Sequence, residues 1–110
     1  MSPRDDSLRV ADMLAAARDA LTFVVGRKEG DLAGDRKLTL ALLKCVEIIG
    51  EAAARLGPEA RSKHIHVPWA HIIGMRNRLV HNYFDVDLSL LWTTVVDDLP
   101  ELVAMLDPRD

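Results

Sequence analysis

Four segments of this chain repeat apolar residues every three or four positions, and no segment alternates apolar with polar residues as a half-buried strand would. Leu8, Ala11, Leu14, Ala15, Leu21, Val24 and Val25 predict a helix over about 6–26, with Asp5, Asp6 or Ser7 as its cap. A glycine- and charge-rich loop follows from Gly26 to Gly34. Asp35 then caps a second helix striped by Leu38, Leu42, Cys45, Val46, Ile49, Ala52, Ala53 and Leu56, which Gly57-Pro58 ends. Residues 58–66 read as a short helical turn and a connection. Pro68 suits the first turn of a third helix, whose buried face carries Trp69, Ile72, Ile73, Leu79 and Val80. Asp85 or Asp87 caps a fourth, striped by Leu88, Leu91, Trp92, Val95, Leu99, Leu102, Val103 and Leu106. Pro100 lacks a backbone donor, so that helix kinks or restarts there. Short joins between amphipathic helices give an all-α, up-and-down four-helix bundle, with a kink or an extra short helix near the C-terminus. The 110 residues suit a single domain over 1–110.

No apolar run approaches the roughly 20 residues needed to cross a bilayer, and the first residues lack the apolar stretch of a secretory signal. Cys45 is the single cysteine, on an apolar helix face, so a buried structural thiol and a cytoplasmic location are expected. Net charge is −3, which argues against a general nucleic-acid binder. The charge is unevenly placed, however. Residues 54–81 hold Arg55, Arg61, Lys63, Arg76 and Arg78 against Glu59 alone, together with His64, His66, His71 and His81, while residues 82–110 carry seven acids and one arginine. A basic stripe on an acidic protein points to a local anion site. The competing account is that helix-end charges simply face solvent.

Continuing the third helix by threes and fours from Trp69 reaches 72, 73, 76, 79, 80 and 83, which puts Arg76 and Tyr83 on the core-facing side. Arginine is almost never fully buried unpaired. Either Arg76 meets an acid inside the bundle, with Glu47 and Glu51 as candidates, or this face opens onto a cleft. His81 sits about 140° around an ideal helix from Arg76 and about 7.5 Å along it, beside Asn77 and Arg78 instead. For Arg76 and His81 to act on one small group, the helix must unwind near His81 or two chains must pool residues. The chemistry this set suits is phosphodiester cleavage without a metal. The arginine fork matches phosphate oxygens, histidine moves protons near neutrality, and positive donors stabilise the developing phosphorane. DNA, without a 2′-hydroxyl, would be spared. Acids are scarce around the motif, and His64-x-His66 with one cysteine matches no standard zinc spacing, so no metal and no cofactor are expected.

Arg76-Asn77-x-x-x-His81-x-Tyr83 resembles the Arg-x4-His-x-Tyr motif of the HepT-like proteins, a branch of the HEPN superfamily. The likeness continues in Glu47-Ile48-Ile49-Gly50-Glu51-Ala52-Ala53, Val67-Pro68-Trp69, Ile73-Gly74-Met75, Val86-Asp87 through Trp92, and Asp98-Leu99-Pro100-Glu101-Leu102, covering about residues 5–107. The resemblance implies the toxin of a toxin–antitoxin pair, a homodimeric, metal-independent ribonuclease with the motif in a cleft between subunits. Carried over, Arg76 holds and stabilises the phosphate and His81 is the general acid/base, with Asn77 and Arg78 supporting. The partner it implies is an MntA-like nucleotidyltransferase antitoxin that attaches AMP to Tyr83. A bulky anion there would block RNA by charge and by volume. Two other readings remain at this stage: a bundle that binds RNA or a nucleotide without cutting, and a structural partner of the nucleotidyltransferase.

Overall fold

The computed structural model describes residues 3–80 and 85–108. Its elements are α1 (Pro3–Phe23), α2 (Asp31–Gly34), α3 (Arg36–Arg55), α4 (Pro58–Lys63), α5 (Trp69–Val80), α6 (Leu88–Thr93), a π-helical segment (Thr94–Asp98) and α7 (Leu99–Leu106), with no strand among the described residues. The four long helical runs are α1, α3, α5 and the α6–α7 unit, and the all-helical bundle read from the sequence is the one observed. The α3 helix is its axis, packing most extensively on α1 and α5, while α7 lies against α1.

Each boundary has a local cause. Asp35 caps α3 by accepting from the Leu38 amide at 3.0 Å, and Asp87 caps α6 by accepting from the Leu90 amide at 2.9 Å. Asp35 is therefore held below the usual carboxylate range, by the Leu38 amide first and by the Arg27 guanidinium second. Asp85 does not cap. The first helix begins before its expected cap residues, so Asp5 and Asp6 stand inside its first turn, and Asp6 accepts from the Gly57 amide across the bundle at 3.4 Å. It also ends earlier than expected, and Gly26 turns the chain at a φ of +74° that side-chain-bearing residues rarely adopt. The glycine-rich loop holds one helical turn, α2, which spacing alone did not predict.

Pro100 acts upstream of itself. Its ring cannot tolerate the carbonyl four residues back, and the chain widens to π geometry just before it, with the Leu99 amide bonding to the Thr94 carbonyl. The expected kink is this π segment.

The core contains every stripe residue expected on α3, together with Leu91, Val95, Leu99, Leu102 and Leu106 from the last unit. The α1 stripe holds only in part. Leu14 is buried and Leu21 and Val24 pack half-buried against the core, but Leu8 is 56% and Val25 76% exposed, Ala11 and Ala15 face solvent, and the buried face also takes in Met13, Ala16, Ala17 and Ala20. Alanines ring this helix almost completely, so spacing could not choose among its faces. Cys45 is buried and free, and burial pushes its thiol pKa up, with a smaller contribution from Asp19. No helix among the described residues is long and apolar enough to cross a membrane.

Leu42 is wholly buried and Ile49 nearly so on the central helix. Replacing either by alanine is expected to cost about 2–5 kcal/mol in denaturant unfolding. Leu8→Ala, at an exposed site, should stay within about 0.5 kcal/mol of the parent.

Candidate functional site at the α3–α5 crossing

Where α5 crosses α3, Arg76 lies over Gly50. A Cβ placed on Gly50 would stand 2.3 Å from both Cβ and Cγ of Arg76. No side chain fits there, so the glycine inside α3 is what lets the stem of the arginine lie between the helices. The side chain as a whole stays 30% exposed.

The guanidinium is held on two sides. Its Nη2 donates to Glu51 Oε1 at 3.3 Å and its Nη1 to Asn77 Oδ1 at 2.7 Å, while Nε is buried without an acceptor among the described residues. Of the two acids considered, Glu51 is the partner; Glu47 lies 3.8 Å from Lys44 instead. Each terminal nitrogen keeps a second N–H, so the group can still bind an oxyanion while its orientation is fixed. Of the alternatives read from the sequence, the acidic partner is the one observed, and the pair sits part-exposed at the helix crossing rather than inside the bundle.

Asn77 and Arg78 are exposed on α5. His81 and Tyr83 lie outside the described residues, which end on this side at Val80. Asn77 thus acts on Arg76 directly, and the structure brings together Arg76, Asn77 and Glu51. Helical spacing makes Glu51 one of two candidate partners and gives Gly50 no role. The available signal was a glycine in mid-helix, one position before that acid, within an otherwise strong apolar stripe.

The basic segment serves more than one purpose. Arg61 turns back to donate from Nη2 to the Ala53 carbonyl at 3.0 Å, satisfying the C-terminal end of α3. His71 stands 3.9 Å from Asp98, with both side chains about half exposed. Among the described residues no group of three or more His, Cys, Asp or Glu side chains is placed to hold a metal ion. An apolar recess runs between α5 and α7 over Val46 and Ile49, lined by Ile72, Met75, Leu99 and Leu102, but Arg76 does not line it.

Fold and site together define an all-helical bundle that displays an oriented, partly exposed arginine within the sequence Arg-x4-His-x-Tyr. The chain matches the family described as "Ribonuclease HepT-like" over residues 13–108, and it belongs to that family. It is 34% identical to "Putative RNase MJ1380" of Methanocaldococcus jannaschii, covering 93% of this chain and 94% of that protein. It is 43% identical to "Putative RNase TTE0752" of Caldanaerobacter subterraneus over 73% of this chain and 75% of the relative. A third relative, "Probable ribonuclease HepT" of Thermococcus cleftensis, is 39% identical over 66% of each chain. No solved structure shows significant similarity.

Gly50→Ala tests the crossing. Alanine favours a helix over glycine by about 1 kcal/mol, yet the clash at Arg76 should make this variant less stable than the parent by about 1–3 kcal/mol. Because the Arg76 Cβ itself is in the way, adding Arg76→Ala should give little relief, whereas Arg76→Gly should restore room. Denaturant midpoints of the three variants check this.

Proposed function

We propose that the protein is a metal-independent RNA endonuclease, the toxin of a toxin–antitoxin pair, acting as a homodimer and neutralised by a nucleotidyltransferase of the MntA type. The observation that carries the reading is the fixed, outward-facing guanidinium of Arg76, seated by Gly50 and steered by Glu51 and Asn77. Membership of a family described as ribonuclease-like, and relatives whose names say RNase, support the choice of RNA as substrate.

In this mechanism the scissile phosphate takes the free N–H groups of Arg76, whose charge offsets the one that builds on the phosphorane oxygens. The ribose 2′-oxygen attacks phosphorus and the bond to the 5′-oxygen breaks, leaving a 2′,3′-cyclic phosphate and a free 5′-hydroxyl. His81 is the general acid/base: a neutral imidazole accepts the proton of the 2′-hydroxyl, and an imidazolium returns one to the leaving 5′-oxygen. Two chains facing each other would supply one histidine for each transfer, and would also overcome the angular offset between Arg76 and His81 on a regular helix. Arg78 adds positive charge for the strand. Tyr83 is the switch: AMP on its phenol oxygen places a bulky anion where RNA phosphate must sit.

Purified protein incubated with RNA tests the reading. Cutting should survive EDTA, leave 2′,3′-cyclic ends and disappear in His81→Ala. Protein co-expressed with the antitoxin should gain the mass of one or more AMP units on Tyr83 and lose activity. His81→Ala that cuts as well as the parent contradicts the catalytic assignment, and tight binding with the RNA left whole would make the protein a binding module.

A further inference from the structure

Gly74 stands inside α5, where a glycine weakens a helix, and nothing in the fold requires it. A Cβ built there meets no atom within 4 Å, in contrast to Gly50, whose Cβ would strike Arg76. The space above Gly74 is open, and its neighbours on that side are polar or small. His71, three residues before, is 57% exposed, and Arg78, four residues after, shares its face and is exposed, as are Ala70 and Asn77. The Arg78 side chain makes no ion pair or hydrogen bond with another described residue. On an ideal helix, Gly74 lies about 60° round from Asn77, and Arg78 about 40° further on, so the three step from beside Arg76 over the outer ridge of α5.

We propose that this ridge is a crossing point for the RNA strand, which leaves the Arg76 site past Asn77, passes against bare backbone at Gly74 and meets Arg78 on the far side. The inference rests on the ribonuclease reading and adds a second phosphate-binding locus to it. Lowering the ridge to backbone height lets a phosphodiester approach closely, and Arg78 supplies a permanent positive charge with a fork of donors. Charge complementarity selects a polyanion as the occupant. A docked protein helix would want large apolar residues around the notch, and the exposed set Ala70, His71, Asn77 and Arg78 offers none.

The test is fluorescence anisotropy with a single-stranded, fully 2′-O-methylated oligoribonucleotide, which binds but lacks the attacking hydroxyl. Gly74→Ala should melt higher than the parent, as alanine favours the helix, yet bind more weakly, and Gly74→Leu should bind more weakly still. A purely structural role for Gly74 would not produce that split. Arg78→Gln should weaken binding about threefold and reduce the salt slope by about 0.7. Lys37→Gln, exposed at the far end of α3, should bind like the parent. A parent that cuts RNA while Gly74→Leu and Arg78→Gln bind as well as it does overturns this inference alone. If Gly74→Leu changes the sedimentation of the protein while oligonucleotide binding is unaffected, the notch belongs to a second copy of the chain, which also overturns it. A parent that neither binds nor cuts RNA overturns the ribonuclease reading, and this inference with it.

Discussion

The contact between the backbone of Gly50 and the stem of Arg76 sets how close α3 and α5 can come, and the site depends on that closeness. With any side chain at position 50 the two helices must part or the arginine must leave. With glycine there, the stem lies against the α3 backbone while the side chain stays 30% exposed. Glu51, the next residue on α3, and Asn77, the next on α5, then take one terminal nitrogen each. Orientation comes from two residues, each adjacent in sequence to one of the two that touch, so a single helix crossing builds the arrangement without a loop. The ion pair with Glu51 is partly exposed and contributes little to stability, on the order of 1 kcal/mol or less. Its value is directional: it prevents the fork from sweeping through solvent and leaves N–H groups pointing outward.

The rest of the bundle holds that crossing in place. Leu42, Val46 and Ile49 anchor α3 in the core, and Trp69, Met75 and Leu79 anchor α5. Arg61 secures the end of α3 through the Ala53 carbonyl. Farther away, Arg18 on α1 pairs with Asp107 just after α7, and the π segment before Pro100 lets the last helical unit continue against α1. The acidic C-terminal part and the basic middle part thus have different tasks. The first packs against the core; the second carries the oriented arginine.

Much of this was legible in the sequence because periodicity reports burial directly. The α3 stripe is buried residue by residue, and in the last unit Leu91, Val95, Leu99, Leu102 and Leu106 form the core while Leu88, Trp92 and Val103 pack at its edge half-buried. On α1 the alanines Ala11, Ala15, Ala16, Ala17 and Ala20 blur the face, and Leu8 and Val25 were wrongly placed inside. At the site, the pattern exposed Arg76 as a charge on a core-facing position and offered two acids. It could not choose Glu51 over Glu47, since both lie one turn apart on the same face and the choice turns on the height at which α5 crosses α3. Gly50 went unread for the same reason: a glycine's purpose shows only when the atom that occupies its missing side chain is known.

The most direct test of the account is Arg76→Lys, which keeps the charge and the Cβ–Cγ stem but removes the planar fork that Glu51 and Asn77 orient. The account predicts a melting temperature close to that of the parent and RNA cutting reduced about 10²–10³-fold, the loss typical of removing a fixed donor to a developing oxyanion. A lysine variant that folds and cuts at the parental rate would contradict it, because a point charge would then suffice and the oriented fork at the α3–α5 crossing would have no catalytic part.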